Sequence, residues 1–299
     1  MNKVREGAVE VNGNRFAFLE AGDGPLVLLL HGFPDNAWTW SHQLPALASA
    51  GYRAVAPFMR GYPPTAIPAD GRYDMVALAE DVAGLARALG RGPAYVVGHD
   101  WGAIATYAAI GMSPSSIPAA AVIGVTHPNR FRAPLGSPAQ IHHAFHFWFF
   151  QMPGLAEAAV AANDLAFVDY LWQYWSPRLR DATHIARVKR DTLSIPGAVE
   201  AALGYYRALA RAAYDKPFPP ELLGSFRVPT LSIWGGDDPA RVTAEGEEVS
   251  FTGSYRREVV ERSAHFVHRE QPDAVSRLIL DWFATVREPA RAAAAGATA

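Results

Sequence analysis

The chain of 299 residues has no cysteine, which excludes disulfides, thiol catalysis and Cys-ligated metal. Its formal net charge of −2, without a basic block, excludes the electrostatic footprint of a nucleic-acid or anionic-membrane partner. With 50% hydrophobic and 19% charged residues, the composition is that of a packed globule with one large core and room for a smaller second module. The N-terminus lacks an apolar signal core, and no stretch approaches the roughly 18 apolar residues needed to span a bilayer. A cytoplasmic protein is therefore expected, as a monomer or homodimer.

Ala8–Glu20 reads as a hairpin turned at Asn12-Gly13-Asn14. Short apolar runs then alternate with helix-period segments, the pattern of a parallel sheet covered by helices. Strands are predicted at Leu26–Leu30, Arg53–Pro57, Tyr95–Gly98 and Ala119–Val125. Helices are predicted at Gln43–Ala50, Met75–Leu89 and from the end of the third strand to about Met112. From about Arg130 to Pro220 β signal fades, and aromatic and Ala-rich segments such as Gly154–Val168 and Ala198–Ala213 read as a helical insertion. Thr230–Trp234 and Glu258–Glu261 restore the strand pattern, and Asp273–Val286 reads as an amphipathic closing helix. The organisation expected is an α/β core over 1–129 and 221–287, a helical insertion over 130–220, and a frayed tail over 288–299.

The chemistry is concentrated at Val96-Val97-Gly98-His99-Asp100-Trp101-Gly102-Ala103. Two β-branched residues lead into Gly-x-Asp-x-Gly and then an apolar helix, the strand–turn–helix context of a nucleophile elbow. The usual occupant is Ser. An Asp there attacks carbon and forms an alkyl ester on the enzyme, which points to epoxide opening or halide displacement rather than acyl transfer. After the Leu26–Leu30 strand, His31-Gly32-Phe33-Pro34 offers the Phe33 N–H as one half of an oxyanion hole, with the Trp101 N–H as the other. Gly235-Gly236-Asp237-Asp238 follows a late strand, and Ser263-Ala264-His265-Phe266 follows the last. The order nucleophile, acid, His makes His265 the candidate general base and Asp238, favoured over Asp237 by its place in the loop, the residue that orients it. No carboxylate occurs in Thr126-His127-Pro128-Asn129, the other place for the acid. His31 and His99 read as structural supports of the two turns.

These stretches, with Trp38 and Trp40, Arg60-Gly61-Tyr62 and His265-Phe266-Val267-His268-Arg269-Glu270-Gln271-Pro272, resemble the epoxide hydrolases of the α/β-hydrolase fold. Haloalkane and haloacetate dehalogenases are close relatives. The resemblance spans roughly residues 8–285 and implies a mostly parallel sheet with the insertion as a cap over the active site. Family members usually present two cap tyrosines to the epoxide oxygen. Gly204-Tyr205-Tyr206-Arg207 resembles the second motif, with Tyr206 the match. Phe145-His146-Phe147-Trp148-Phe149-Phe150-Gln151-Met152-Pro153-Gly154 resembles the first, with His146 in the tyrosine's place.

The resemblance thus implies hydrolysis of an epoxide to a vicinal diol, with no metal or organic cofactor, and the aromatic insertion (Phe145, Phe147, Trp148, Phe149, Phe150, Trp172, Tyr174, Trp175) points to an apolar or aryl substrate. The expected catalytic set is Asp100, Asp238, His265, Tyr206 and His146, with Trp148, Phe147 and Trp38 in the substrate pocket. Dehalogenation is the alternative: Trp101 and Trp148 could cradle a halide, and Arg60 or Arg130 could clamp a haloacetate carboxylate. Phe147, where a haloacetate enzyme would have His before the Trp, and Phe33, where haloalkane enzymes often have Asn, favour the epoxide branch. A non-catalytic binding protein of this fold is a third reading, and Asp100→Ala separates it from an enzyme.

Overall fold

The computed structural model describes residues 3–90, 92–131, 137–214 and 218–296. Strands β1 (Arg5–Val11) and β2 (Asn14–Ala21) form the predicted hairpin. Its two-residue turn places both Asn12 and Gly13 at positive φ, the combination that matches strand twist and that Asn-Gly favours. Then follow β3 (Leu26–Leu30), β4 (Arg53–Pro57), β5 (Tyr95–His99), β6 (Ala120–Ile123), β7 (Thr230–Gly235) and β8 (Tyr255–Val260). They make one eight-stranded sheet in the order β1-β2-β4-β3-β5-β6-β7-β8. The β1–β2 and β2–β4 pairs are antiparallel, and every other pair is parallel.

Strands β3, β5, β6 and β7 are buried along their whole length, which explains their unbroken apolar runs: helices cover both faces. Leu28 and Leu30 of β3 point into one layer with Val96 and Ile104, whereas Val27 and Leu29 point into the other with Leu44 and Ile279. Helices α1 (Gln43–Ser49), α2 (Met75–Leu89) and α3 (Trp101–Met112) match their predicted positions. Between β6 and β7 the described residues hold no named strand. Their main helices are α4 (Pro138–His143), α5 (Phe145–Phe149), α6 (Leu155–Trp175), α7 (Ala182–Val188) and α8 (Ala198–Tyr214), followed by the short α9 (Pro220–Leu223). Of the expected 130–220 insertion, 132–136 and 215–217 lie outside the described residues.

Strand β1 starts three residues before the predicted hairpin and β6 is shorter than predicted, and three further boundaries differ from the sequence reading. Strand β8 begins at Tyr255, not Glu258, because it is an edge strand whose half-exposed Arg256 and Arg257 mask the β pattern. Helix α6 runs on to Trp175 and is broken inside, with Asn163, Asp164 and Leu165 at positive φ. After α10 (Val267–Glu270), helix α11 (Pro272–Gly296) continues through most of the tail expected to fray, since its Ala-rich sequence has the highest helix propensity. Residues 297–299 of that tail lie outside the described residues. Among the described residues no helix is long and apolar enough to cross a membrane.

Candidate active site

Asp100 sits between the end of β5 and the first turn of α3, with φ 51° and ψ −118°. A non-glycine residue held there costs on the order of 1–3 kcal/mol, and it persists only where its surroundings enforce it. The enforcement is visible: the Asp100 N–H donates to the Ile123 carbonyl at 3.2 Å, and its carbonyl accepts from the Ala103 N–H at 2.9 Å. The turn needs glycine on the strand side, because a Cβ on Gly98 would lie 2.0 Å from the Gly102 carbonyl oxygen. Gly32 is required for the same reason of close approach, since a Cβ there would lie 2.3 Å from Asp100 Oδ1.

That approach lets the Phe33 N–H donate to Asp100 Oδ1 at 2.8 Å. Trp101 opens α3, so its N–H is among the four that a helix leaves without an internal partner. The other carboxylate oxygen, Oδ2, lies 3.7 Å from His265 Nε2. On the far side of the ring, His265 Nδ1 meets Asp238 Oδ2 at 3.3 Å, while Asp238 Oδ1 accepts from the Ala240 N–H at 2.8 Å. Asp238 is almost fully buried, whereas Asp237 is exposed and paired with Arg178. The structure therefore brings Asp100, His265 and Asp238 together and leaves Asp237 out.

Charge follows from this geometry. Burial works to lower the proton affinity of His265, but hydrogen bonding to Asp100 and Asp238 and the two negative charges outweigh it, raising its pKa to about 10. Burial would raise Asp100, yet the His265 imidazolium and the Phe33 N–H hold it below the ordinary carboxylate range. The resting site is thus an imidazolium between two carboxylates. His31 and His99 take the supporting places expected of them. His31 Nδ1 donates to the Gly32 carbonyl at 2.9 Å, its Nε2 accepts from the Met59 N–H at 3.0 Å, and burial lowers its pKa to about 4.

Asp100, Trp101 and His265 open into a cavity of about 1140 Å³ between the sheet and the helical insertion, with His146, Phe147, Trp148 and Tyr206 on its wall. The Tyr206 ring is fixed by Trp101 at 4.9 Å, Phe150 at 4.9 Å and His146 at 5.6 Å between centroids. Its hydroxyl is buried and makes no hydrogen bond of good geometry. Burial raises the Tyr206 pKa well above 10, the Asp100 charge adds to this, and the Trp101 side chain works the other way. Its neighbour Tyr205 is committed elsewhere, donating to the Arg60 carbonyl at 2.7 Å. His146 is likewise buried, with Nδ1 unpartnered, and burial keeps the ring neutral by lowering its pKa well below 6.5.

Other expected residues fall outside the cavity. Trp38 does not line it: it belongs to the 3-10 turn Ala37–Trp40, capped by Asn36, with Arg187 of α7 4.4 Å above its ring. Neither proposed carboxylate clamp reaches the site. Buried Arg60 pairs with Asp81 through two bonds of 2.5 and 2.8 Å, and Arg130 donates to the carbonyls of Thr243 and Glu245. His143 was missed by the sequence reading: it lines the cavity with Nε2 3.8 Å from Asp238 Oδ1. Its spacing of three before His146, a same-face spacing on helical chain, was the available signal.

The family model of the α/β hydrolase fold matches residues 25–272. The AB hydrolase superfamily protein YfhM of Bacillus subtilis is 31% identical, with 94% of this chain and 99% of that protein covered. Epoxide hydrolase 2 of Siraitia grosvenorii is 30% identical, again over 94% and 99%. The solved structure of an epoxide hydrolase from an endophytic Streptomyces superimposes with a TM-score of 0.82 at 27% identity, covering 95% of this chain and 96% of that one. The chain belongs to the epoxide hydrolase family of the α/β-hydrolase fold, and it is a hydrolase.

Proposed function

We propose that the protein hydrolyses an apolar or aryl epoxide to a vicinal diol in two steps, through an alkyl ester on Asp100. The observation that carries this reading is the Tyr206 hydroxyl, buried without a good partner on the wall of the cavity that holds Asp100 and His265. A buried donor left open in this way costs stability, and an incoming epoxide oxygen would satisfy it.

Asp100 Oδ2 attacks an epoxide carbon, the C–O bond breaks, and its electron pair goes to the ring oxygen. Tyr206 gives that oxygen its proton, with neutral His146 as a second N–H donor. The phenolate left behind is a stronger base than His265, and the imidazolium proton returns it to the phenol. Esterification removes the Asp100 charge, one of the reasons that His265 holds its proton so firmly. His265, now neutral and oriented by Asp238, draws a proton from water as the water attacks the ester carbon. The developing oxyanion at Oδ1 is stabilised by the N–H groups of Phe33 and Trp101. Of the two water protons, one ends on the departing alkoxide and the other on His265, so the cycle closes.

Dehalogenation lacks comparable support. Among the described residues no Lys or Arg lines the cavity, and neither Arg60 nor Arg130 reaches it as a clamp for a haloacetate carboxylate. Ile104, Val125, Phe147, Trp148, Trp175 and Leu209 suit an apolar or aryl group instead. The test is a product panel on the purified protein with styrene oxide, chloroacetate and a 1-haloalkane. Diol without free halide is the expected result. Halide without diol would move the protein to the dehalogenases.

A further inference from the structure

The backbone around His265 is held by hydrogen bonds from several elements. Three consecutive N–H groups have acceptors: Ala264 donates to Glu270 Oε1 at 2.8 Å, His265 to the Trp175 carbonyl at 3.2 Å, and Phe266 to Ser176 Oγ at 2.9 Å. Ser176 in turn donates its hydroxyl proton to the same Glu270 Oε1 at 2.8 Å. The His265 carbonyl accepts from His99 Nε2 at 3.0 Å. Trp175 is the last residue of α6, so its carbonyl is one of those that a helix end leaves without an internal partner. The Phe266 ring stacks on Trp172 of the same helix, 3.6 Å between centroids and 12° from parallel. Trp172 also donates its indole N–H to the Pro34 carbonyl at 3.1 Å, beside the oxyanion turn. The end of α6 therefore touches both loops that frame Asp100.

We propose that Ser176 and Glu270 are positioning residues for His265: with the end of α6 they fix the backbone of residues 264–266, so that the helical insertion holds the general base at the angle needed for ester hydrolysis. The role rests on the two-step reading above. Ester formation uses the Asp100 carboxylate and the Tyr206 donor, neither of which the clamp touches. Ester breakdown depends on the line from His265 Nε2 through water to the Asp100 carbon. A displacement of about 1 Å on such a line can cost on the order of 100-fold.

The experiment measures both rate constants separately by rapid quench and intact-protein mass spectrometry, using an epoxide that the wild type turns over. Ser176→Ala removes the acceptor for the Phe266 N–H and the donor to Glu270. It is expected to slow ester breakdown by about 10- to 100-fold while ester formation stays within about twofold. In steady state kcat and KM then fall together, kcat/KM is preserved, and alkylated enzyme accumulates. Glu270→Ala should do the same and serves if Ser176→Ala does not fold. Glu270→Gln keeps an oxygen for both donors and should stay close to wild type. Equal losses in both steps, or unchanged ester breakdown in folded Ser176→Ala, would overturn the clamp. So would a Glu270→Gln variant as slow as Glu270→Ala, because that would make charge rather than position the cause. Failure of the two-step reading looks different: His265→Gln would then never carry the ester.

Discussion

Replacing His265 with Gln is expected to convert a turnover catalyst into a protein that reacts once. Gln retains most of the side-chain volume and a polar end facing Asp100, so the first step should survive at a reduced rate. It cannot accept a proton from water, and loss of a positioned general base slows such a step by about 10²–10⁴-fold. The variant should therefore gain the mass of one epoxide on the peptide containing Asp100 and hold it. The sign of the charge change supports this division of labour. The His265 pKa of about 10 belongs to the state with both carboxylates ionised, a state that ends when Asp100 is esterified. A variant that consumed epoxide without ever carrying the added mass would mean that water attacks the epoxide directly.

Tyr206→Phe should produce the opposite partition. The ring is already packed against Phe33, Trp101, Phe147 and Phe150, so Phe preserves the packing. Its hydroxyl makes no well-formed hydrogen bond, so removing it should leave stability unchanged or raise it by about 1 kcal/mol. Ester formation, by contrast, loses its proton donor and should fall by about 10²–10³-fold, with no ester accumulating. Thermal melting and single-turnover kinetics on the same sample check both halves. His146→Gln should cost less. If both side chains serve one oxygen, the double variant should lose less than the product of the two single losses, the mark of coupled groups. Unchanged ester formation in Tyr206→Phe would remove Tyr206 from the reaction.

Much of this was legible from local pattern. The parallel strands could be read because burial on both faces writes a continuous apolar run, and β3 and β4 fell on their predicted residues. The elbow could be read because the strained turn at Asp100 demands glycine nearby, which leaves a short motif. Asp238 over Asp237 followed from loop position, and Tyr206 over Tyr205 from its place before Arg207. What escaped depends on contacts between distant parts of the chain. Ser176 and Glu270 meet across 94 positions, and nothing local marks Ser176 as a support of His265, although Glu270 lies in the stretch that follows His265. His143 reaches Asp238 only once the insertion has folded over the sheet. Trp38 was misplaced because an aromatic near an oxyanion turn can face either layer. Its ring instead meets Arg187 of α7, a contact that joins residues far apart in the chain. The closing helix extends further than predicted because Ala-rich sequence reads as both tail and helix.

The measurement that tests the central claim most directly is a single turnover in ¹⁸O-water with enzyme in excess over epoxide. Hydrolysis of the Asp100 ester leaves the oxygen of water on the carboxylate and sends an original Asp100 oxygen out with the diol. The account predicts unlabelled diol and one ¹⁸O in the peptide that contains Asp100. Label in the diol with none on Asp100 would contradict it, since that is the signature of water attacking the epoxide itself.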